Sequence, residues 1–282
     1  MAREQDQFLD VVDRDTAERR WWTALRPALL ETEEIVLGAA LARVLAIDIA
    51  AEVDVPRVPC QSVRPRASGR HRISTGPGGV VMSLGAVVLC GGESRRMGRP
   101  KAWLPFGAEL MLERVVRLAG KVARPIVVVA APSQELPALP ADVAIVRDQV
   151  SGRGPLQGLA AGLAAFESSV DLVYATATDV PFLEPRWMTR LVELSSGYDL
   201  VIPRVAGYYH PLAALYRPAA VLPAIESLLV ADRLRPVFLV EAVKTRVVDE
   251  TEMRTVDPTL DTLRNLNHPE DYNQALADAG LA

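Results

Sequence analysis

Leu84-Gly85-Ala86-Val87-Val88-Leu89-Cys90-Gly91-Gly92-Glu93-Ser94-Arg95-Arg96-Met97-Gly98-Arg99-Pro100-Lys101 is the stretch on which the reading of this chain turns. It opens as an unbroken apolar run, the pattern of a parallel strand covered on both faces. Two adjacent glycines, a hydroxyl, two arginines, a third glycine and a lysine follow. Gly91 and Gly92 permit a turn closed to side chains, with backbone N–H groups free to face an anion. Arg95, Arg96 and Lys101 place positive charge around the same spot. Such a loop suits a polyphosphate. Its spacing also excludes two common phosphate binders. A Walker loop needs Gly-x-x-x-x-Gly-Lys-Ser/Thr, whereas Arg99 follows Gly98 here. The dinucleotide fingerprint needs Gly-x-Gly-x-x-Gly, whereas Gly91 and Gly92 are adjacent.

Outward from this loop, the chain has 282 residues, half of them hydrophobic. That allows one large domain, or a domain with an appendage, and a sizeable core. A net charge of −4 gives no reason to invoke nucleic acid or a membrane surface. The charge is uneven: residues 57–82 hold five arginines and no acid. Only Cys60 and Cys90 are present, which argues against a disulfide framework or zinc site and fits a reducing cytoplasm. The N-terminus lacks the apolar core of a signal peptide, and no apolar run is long enough to span a bilayer. A soluble, cytoplasmic protein is expected.

Residues 5–30 and 32–45 read as helices and 48–56 as a strand, giving a small helical N-terminal segment over 1–56. Residues 57–82, rich in proline and glycine, read as a poorly ordered linker. From 83 to 282 strands and helices alternate, so the expected fold is α/β, a doubly wound and mostly parallel sheet. Strands are expected over 84–90, 126–131, 143–146, 172–177, 200–202, 212–215, 245–248 and 263–266. Helices are expected over 109–122, 156–166, 186–194, 221–229, 236–243 and 269–279.

In open α/β sheets ligands collect beyond the carboxyl ends of the strands. Four polar groups fall there: the opening loop, Arg147 with Asp148, Asp179, and Asn265 with Asn267. Asp179 follows the nearly all-apolar 172–178. It is the candidate Mg²⁺ ligand, because Mg²⁺ takes a few hard oxygens together with substrate phosphates and water. The competing role is a turn or helix cap. Gly158 and Gly162, four apart on one helix face, read as packing residues. Asn267 has a second role open to it, as cap of the last helix, whose Pro269, Glu270 and Asp271 suit a helix start.

The pattern Leu-x-Gly-Gly-x-Ser-x-Arg-Met-Gly-x-x-Lys at 89–101 resembles the opening loop of the molybdenum cofactor guanylyltransferases, members of a wider nucleotidyltransferase superfamily. Asp148 with Gly154-Pro155-Leu156-Gln157-Gly158, Thr178-Asp179-Val180-Pro181-Phe182, His210-Pro211-Leu212-Ala213-Ala214-Leu215-Tyr216 and Asn265-Leu266-Asn267-His268-Pro269-Glu270 resemble further motifs of that family, in its order. The resemblance implies transfer of GMP from GTP to the phosphate of molybdopterin, with release of pyrophosphate. Leu89, Cys90, Gly91, Gly92, Lys101, Asp148 and Asp179 would hold the nucleotide. Lys101, Arg95, Arg96 and Asp179 would act on the phosphates, and Asp179 would bind the metal, with Asn265 or Asn267 as a further metal or substrate contact. His210 has two readings, a contact to the pterin or a buried orienting group. Some relatives place an asparagine after the second strand to meet guanine. Val128-Val129-Ala130-Ala131 has none, which leaves open CTP on the same cofactor or a sugar-phosphate substrate. A non-catalytic scaffold of cofactor assembly is the other alternative. Residues 7–56 resemble the start of molybdopterin molybdenumtransferase without its catalytic body, which implies a truncated relic or a docking arm for other cofactor-assembly proteins, not a second enzyme; an unrelated helical hairpin is the alternative.

Overall fold

The computed structural model describes residues 72–74, 81–91, 99–148, 154–166 and 169–281. The helices expected over 5–30 and 32–45, the strand over 48–56 and most of the expected linker lie outside the described residues.

In chain order the described elements begin with β1 (Arg72–Ser74), β2 (Val81–Leu89), the hairpin β3 (Pro105–Phe106) and β4 (Glu109–Leu110), and α1 (Met111–Ala119). Then come β5 (Ile126–Ala130), β6 (Val143–Arg147), α2 (Gly154–Ala164), β7 (Leu172–Ala177) and α3 (Pro185–Glu193). The C-terminal part holds β8 (Leu200–Val205), β9 (Tyr208–Tyr209), β10 (Ala214–Tyr216), α4 (Pro218–Val230), α5 (Leu239–Ala242), β11 (Thr245–Asp249), α6 (Glu250–Arg254) and α7 (Pro269–Asp278).

The main sheet runs β11-β8-β10-β7-β2-β5-β6. All neighbours on this path are parallel except β10, which is antiparallel to both β7 and β8. The expected doubly wound sheet is therefore present, mixed but mostly parallel. Its central strands, β2, β5 and β7, are almost wholly apolar because both faces are covered. Alternation along β2 sends Ala86 and Val88 to one face and Val87 to the other. On the first face α1 presents Leu112, Val115, Val116 and Ala119, and α3 presents Trp187, Met188, Leu191 and Val192. On the second, α2 and α4 bring Leu156, Leu159, Leu163, Val221 and Ile225. Each set follows the three- and four-residue spacing of a helix stripe.

Three local expectations are corrected. Arg72–Ser74, inside the segment read as linker, pairs antiparallel with Val81–Ser83, so β2 starts before residue 84. Residues 263–266 do not form a strand: a short 3₁₀ turn, Asp261–Leu263, leads toward α7. Residues 211–213 are likewise 3₁₀, so β10 begins only at Ala214. Of the two leucines that suggest a strand over 263–266, Leu263 packs against the main core and Leu266 fills a small separate one. There Leu104, Phe106, Met111, Leu266 and Ala275 pack together, flanked by Phe182 and Tyr272. This cluster ties α7 to the β3–β4 hairpin, and Tyr272 Oη donates to the Pro105 carbonyl.

Candidate active site

β2 and β7 are parallel neighbours whose connections leave in opposite directions, β2 to β5 on one side and β7, through α3, to β8 on the other. Such a switch point is where open α/β sheets take their ligands, in the crevice outside the carboxyl ends of the strands. Lys101 stands on a 3₁₀ turn, Lys101–Trp103, pinned by buried Ala102 and Leu104. Its Nζ donates to Asp179 Oδ2 at 2.6 Å and to Asn267 Oδ1 at 3.1 Å. Asp179 directly follows Thr178, whose N–H and hydroxyl both donate to the Leu89 carbonyl, at 3.1 and 3.2 Å. The end of β7 is thus locked to the end of β2. The Asp179 carbonyl accepts from Leu266 N–H at 2.9 Å, which fixes the 265–267 segment against the same strand end. Three residues far apart in sequence meet here.

Of the two asparagines, Asn267 is the one that reaches Lys101. Asn265 is exposed. The capping role expected for Asn267 falls to Asp271, whose Oδ2 accepts from the N–H groups of Asn267 and His268 at 3.0 and 2.9 Å. Those two bonds hold the Asp271 carboxyl below its ordinary range.

Leu89 and Cys90 form the floor of the crevice, with their main-chain groups already engaged. Cys90 N–H donates to the Val129 carbonyl at 2.7 Å, and its carbonyl accepts from Gln134 Nε2 at 2.9 Å. Burial raises the Cys90 thiol above its usual range, against smaller opposing effects from Thr178, Gln134 and Arg147. Gln134 was not singled out in the sequence. Its Oε1 also accepts from Ala131 N–H at 3.1 Å, so one amide staples the ends of β2 and β5. Nothing in the local pattern announces this, since it depends on the spacing of two strands.

Gly91 corrects a further expectation. Its φ does not lie in the left-handed region, and among the described residues a Cβ there would meet only Ala131 N at 3.8 Å. The fold does not require glycine at 91; glycine leaves the space above the strand ends open. Gly92, Arg95 and Arg96 lie outside the described residues. Asp148 follows β6, with its N–H donating to the Ala130 carbonyl at 2.9 Å. Two strands separate β6 from β7, so Asp148 and Asp179 stand roughly 14 Å apart by strand spacing. They cannot share one ion. That distance suits the two ends of a nucleotide.

His210 follows β9, and β8 runs parallel to β11 and, through β10, to β7, so the β8–β9 hairpin rises at the same edge. Burial lowers the His210 pKa, and its Nε2 is buried without a hydrogen-bond partner.

Asp179 Oδ1 is also buried and lacks a hydrogen-bond partner. An orphaned carboxylate oxygen at the strand-end crevice fits a hard cation. Among the described residues no group of three or more His, Cys, Asp or Glu side chains gathers to hold a metal. A divalent ion would therefore depend on substrate oxygens as well as Asp179, the usual habit of Mg²⁺ at phosphates.

Residues 86–245, more than half of the chain, match the MobA-like NTP transferase domain family. The chain belongs to that family. MobA-like NTP transferases are nucleotidyltransferases, and the crevice lies within the matched region except for Asn267. A Mycobacterium avium protein named "Probable molybdenum cofactor guanylyltransferase" is 44% identical over 141 residues, covering 48% of this chain and 70% of its own length. A Mycobacterium tuberculosis protein of the same name is 42% identical over 139 residues, 48% of this chain and 68% of its own. Among solved structures, molybdopterin-guanine dinucleotide biosynthesis protein A of Archaeoglobus fulgidus has a TM-score of 0.58 at 22% identity, over 70% of this chain and 99% of that one. The 2-C-methyl-D-erythritol 4-phosphate cytidylyltransferase of Thermus thermophilus has a TM-score of 0.52 at 19% identity, over 70% and 99%. At such identities both likenesses speak to the MobA-like fold alone. Among the described residues no helix is long and apolar enough to cross a membrane.

Proposed function

We propose that this enzyme transfers GMP from GTP to the terminal phosphate of a molybdopterin-type cofactor. The observation that carries the reading is the convergence of Lys101, Asp179 and Asn267 beside an orphaned Asp179 oxygen, in a chain of this family. The names of the 42–44% identical relatives support the guanylyl specificity.

In this reaction a phosphate oxygen of the acceptor bonds to the α-phosphorus of GTP. The α–β bridging bond breaks, and pyrophosphate leaves with the bond's electrons. Such transfer needs positioning and charge neutralisation more than a protein nucleophile. Lys101 supplies a mobile ammonium to the phosphoryl oxygens. Arg95 and Arg96 add charge from the loop, Gly91 and Gly92 let the phosphates approach the backbone, and Asp148 meets the nucleoside end. Asp179, with Asn267 nearby, would hold Mg²⁺, which when bound screens the charge of the phosphates. Residues 83–282 carry this activity, and 1–56 serve as a separate arm for partners in cofactor assembly.

The test is pyrophosphate release with molybdopterin as acceptor and GTP, CTP or ATP as donor, repeated with Asp179→Asn. GTP should be preferred. Asp179→Asn should nearly abolish turnover with little change in melting temperature, because the isosteric amide still offers Lys101 an oxygen and the ammonium keeps Asn267 Oδ1, at 3.1 Å, as a second acceptor. Preference for CTP would overturn the guanylyl reading, and normal Mg²⁺-dependent turnover by Asp179→Asn would remove that residue from the mechanism.

A further inference from the structure

The Lys101 ammonium does not stand ready beside an empty space. It is bound 2.6 Å from the carboxylate assigned above to the divalent ion, and the present inference rests on that assignment. The Asp179 and Lys101 side chains are only 14% and 21% exposed, so water screens the pair weakly. A divalent ion arriving alone would share a single carboxylate with an ammonium, and no other acidic cluster gathers among the described residues to offset the surplus charge. Triphosphate changes that balance. It brings several negative charges to the crevice, enough to hold both cations at separate oxygens.

Lys101 is built to move between the two. Its backbone is held by the 3₁₀ turn and by buried Ala102 and Leu104, while four flexible methylenes carry the charge. Asn267 Oδ1, at 3.1 Å, gives the ammonium a second, uncharged partner. Asn267 is positioned by the two N–H donations to Asp271 and by the bond from Leu266 N–H to Asp179.

We propose that Lys101 is the resident counter-ion of Asp179 in the nucleotide-free enzyme, so that the divalent ion binds only with the triphosphate that draws the ammonium away. The lysine thereby couples metal entry to nucleotide entry. Metal without nucleotide finds the charge of its carboxylate already matched, by an ammonium on Oδ2.

Mn²⁺ binding to the full chain, followed by electron paramagnetic resonance of the free ion, tests this without turnover. The set is wild type, Lys101→Met, Lys101→Gln and Asp179→Asn, each with and without α,β-methylene GTP. Wild type should bind Mn²⁺ at least about tenfold tighter with the nucleotide analogue than without it. Each lysine variant should bind Mn²⁺ alone at least about tenfold tighter than wild type does, and adding Asp179→Asn should erase the gain. Thermal melting identifies folded variants, and Mn²⁺ should raise the melting temperature of Lys101→Met more than that of wild type. A folded Lys101→Met or Lys101→Gln protein that binds Mn²⁺ no better than wild type overturns the inference. If Asp179→Asn keeps full analogue-linked Mn²⁺ binding, the metal assignment itself fails. If that binding is lost while the lysine variants show no gain, the assignment stands and the displacement alone is refuted.

Discussion

Gly158 and Gly162 lie one turn apart on the face of α2 that meets the sheet, yet the same substitution should move stability in opposite directions at the two sites. A Cβ at Gly162 would lie 2.7 Å from Val87 Cγ1 and 2.9 Å from both Val87 Cγ2 and Val129 Cγ2. Both valines are β-branched, stiff and buried, so they cannot swing aside. The helix must lift, and overpacking of this kind costs about 1–3 kcal/mol. Alanine returns up to about 1 kcal/mol of helix propensity. Three contacts under 3.0 Å to stiff side chains put the cost at the upper end, about 2–3 kcal/mol, so Gly162→Ala should lose about 1–2 kcal/mol net, lowering the melting temperature by about 2–8 °C. At Gly158 the nearest atoms are Leu89 Cδ2 at 3.5 Å, Val129 Cγ1 at 3.8 Å and Asp148 Oδ2 at 3.9 Å, all ordinary contacts. Gly158→Ala should keep the propensity gain and melt at or above wild type. Its new methyl, however, sits against the carboxylate proposed to meet the nucleoside, so the KM for GTP should rise. Calorimetric melts of the three proteins decide the matter. If Gly162→Ala melts no lower than wild type, α2 stands farther from β2 and β5 than these distances state, and the packing argument fails.

Four other outcomes follow from the site and the fold. Lys101→Ala should lower kcat by about 10²–10³, as expected for losing one preorganised charge on a phosphoryl group; full activity would make the turn purely structural. Gly92→Val should cut activity comparably by blocking backbone approach to the phosphates, and steady-state kinetics at saturating GTP would show it. A chain starting at Met82 should still turn over, because β1 pairs at the amino end of β2, opposite the crevice; it should melt below a chain starting at His71, which keeps Ile73 on the core. His210 has a folded pKa below its ordinary 6.5, so the unfolded state binds the proton more readily and stability must fall as pH drops below about 6.5. His210→Gln should shrink the melting difference between about pH 7.5 and about pH 5.5, while an unchanged difference would assign that loss to other groups.

The central strands and their helices were legible because a sheet covered on both faces leaves unbroken apolar runs, as at 84–90, 126–130 and 172–177. What escaped notice lacks a local signature. β1 is a tripeptide with one apolar residue, Ile73, too short to show alternation, and it is a strand by pairing with Val81–Ser83. The antiparallel setting of β10 is a property of the connection, since Ala214-Leu215-Tyr216 would suit either direction. The β3–β4 hairpin has two-residue strands, below the length at which alternation is visible, and its one signal is Gly107 at φ +69°.

The candidate site divides in the same way. Lys101 and Asp179 each follow an apolar strand, so their placement at the sheet's working edge could be argued from position alone. The choice between Asn265 and Asn267 could not, because they flank Leu266 symmetrically in sequence. Burial of Leu266 in the small core with Phe106 and Met111 breaks that symmetry. With its side chain anchored there and its N–H spent on the Asp179 carbonyl, the segment has one orientation left, and Asn267 faces the ammonium. The satellite core therefore has a consequence for chemistry. Through Leu104 it holds the turn that carries Lys101, and through Leu266 the segment that carries Asn267, so a packing change there reaches the ammonium of the ion pair and its second acceptor at once.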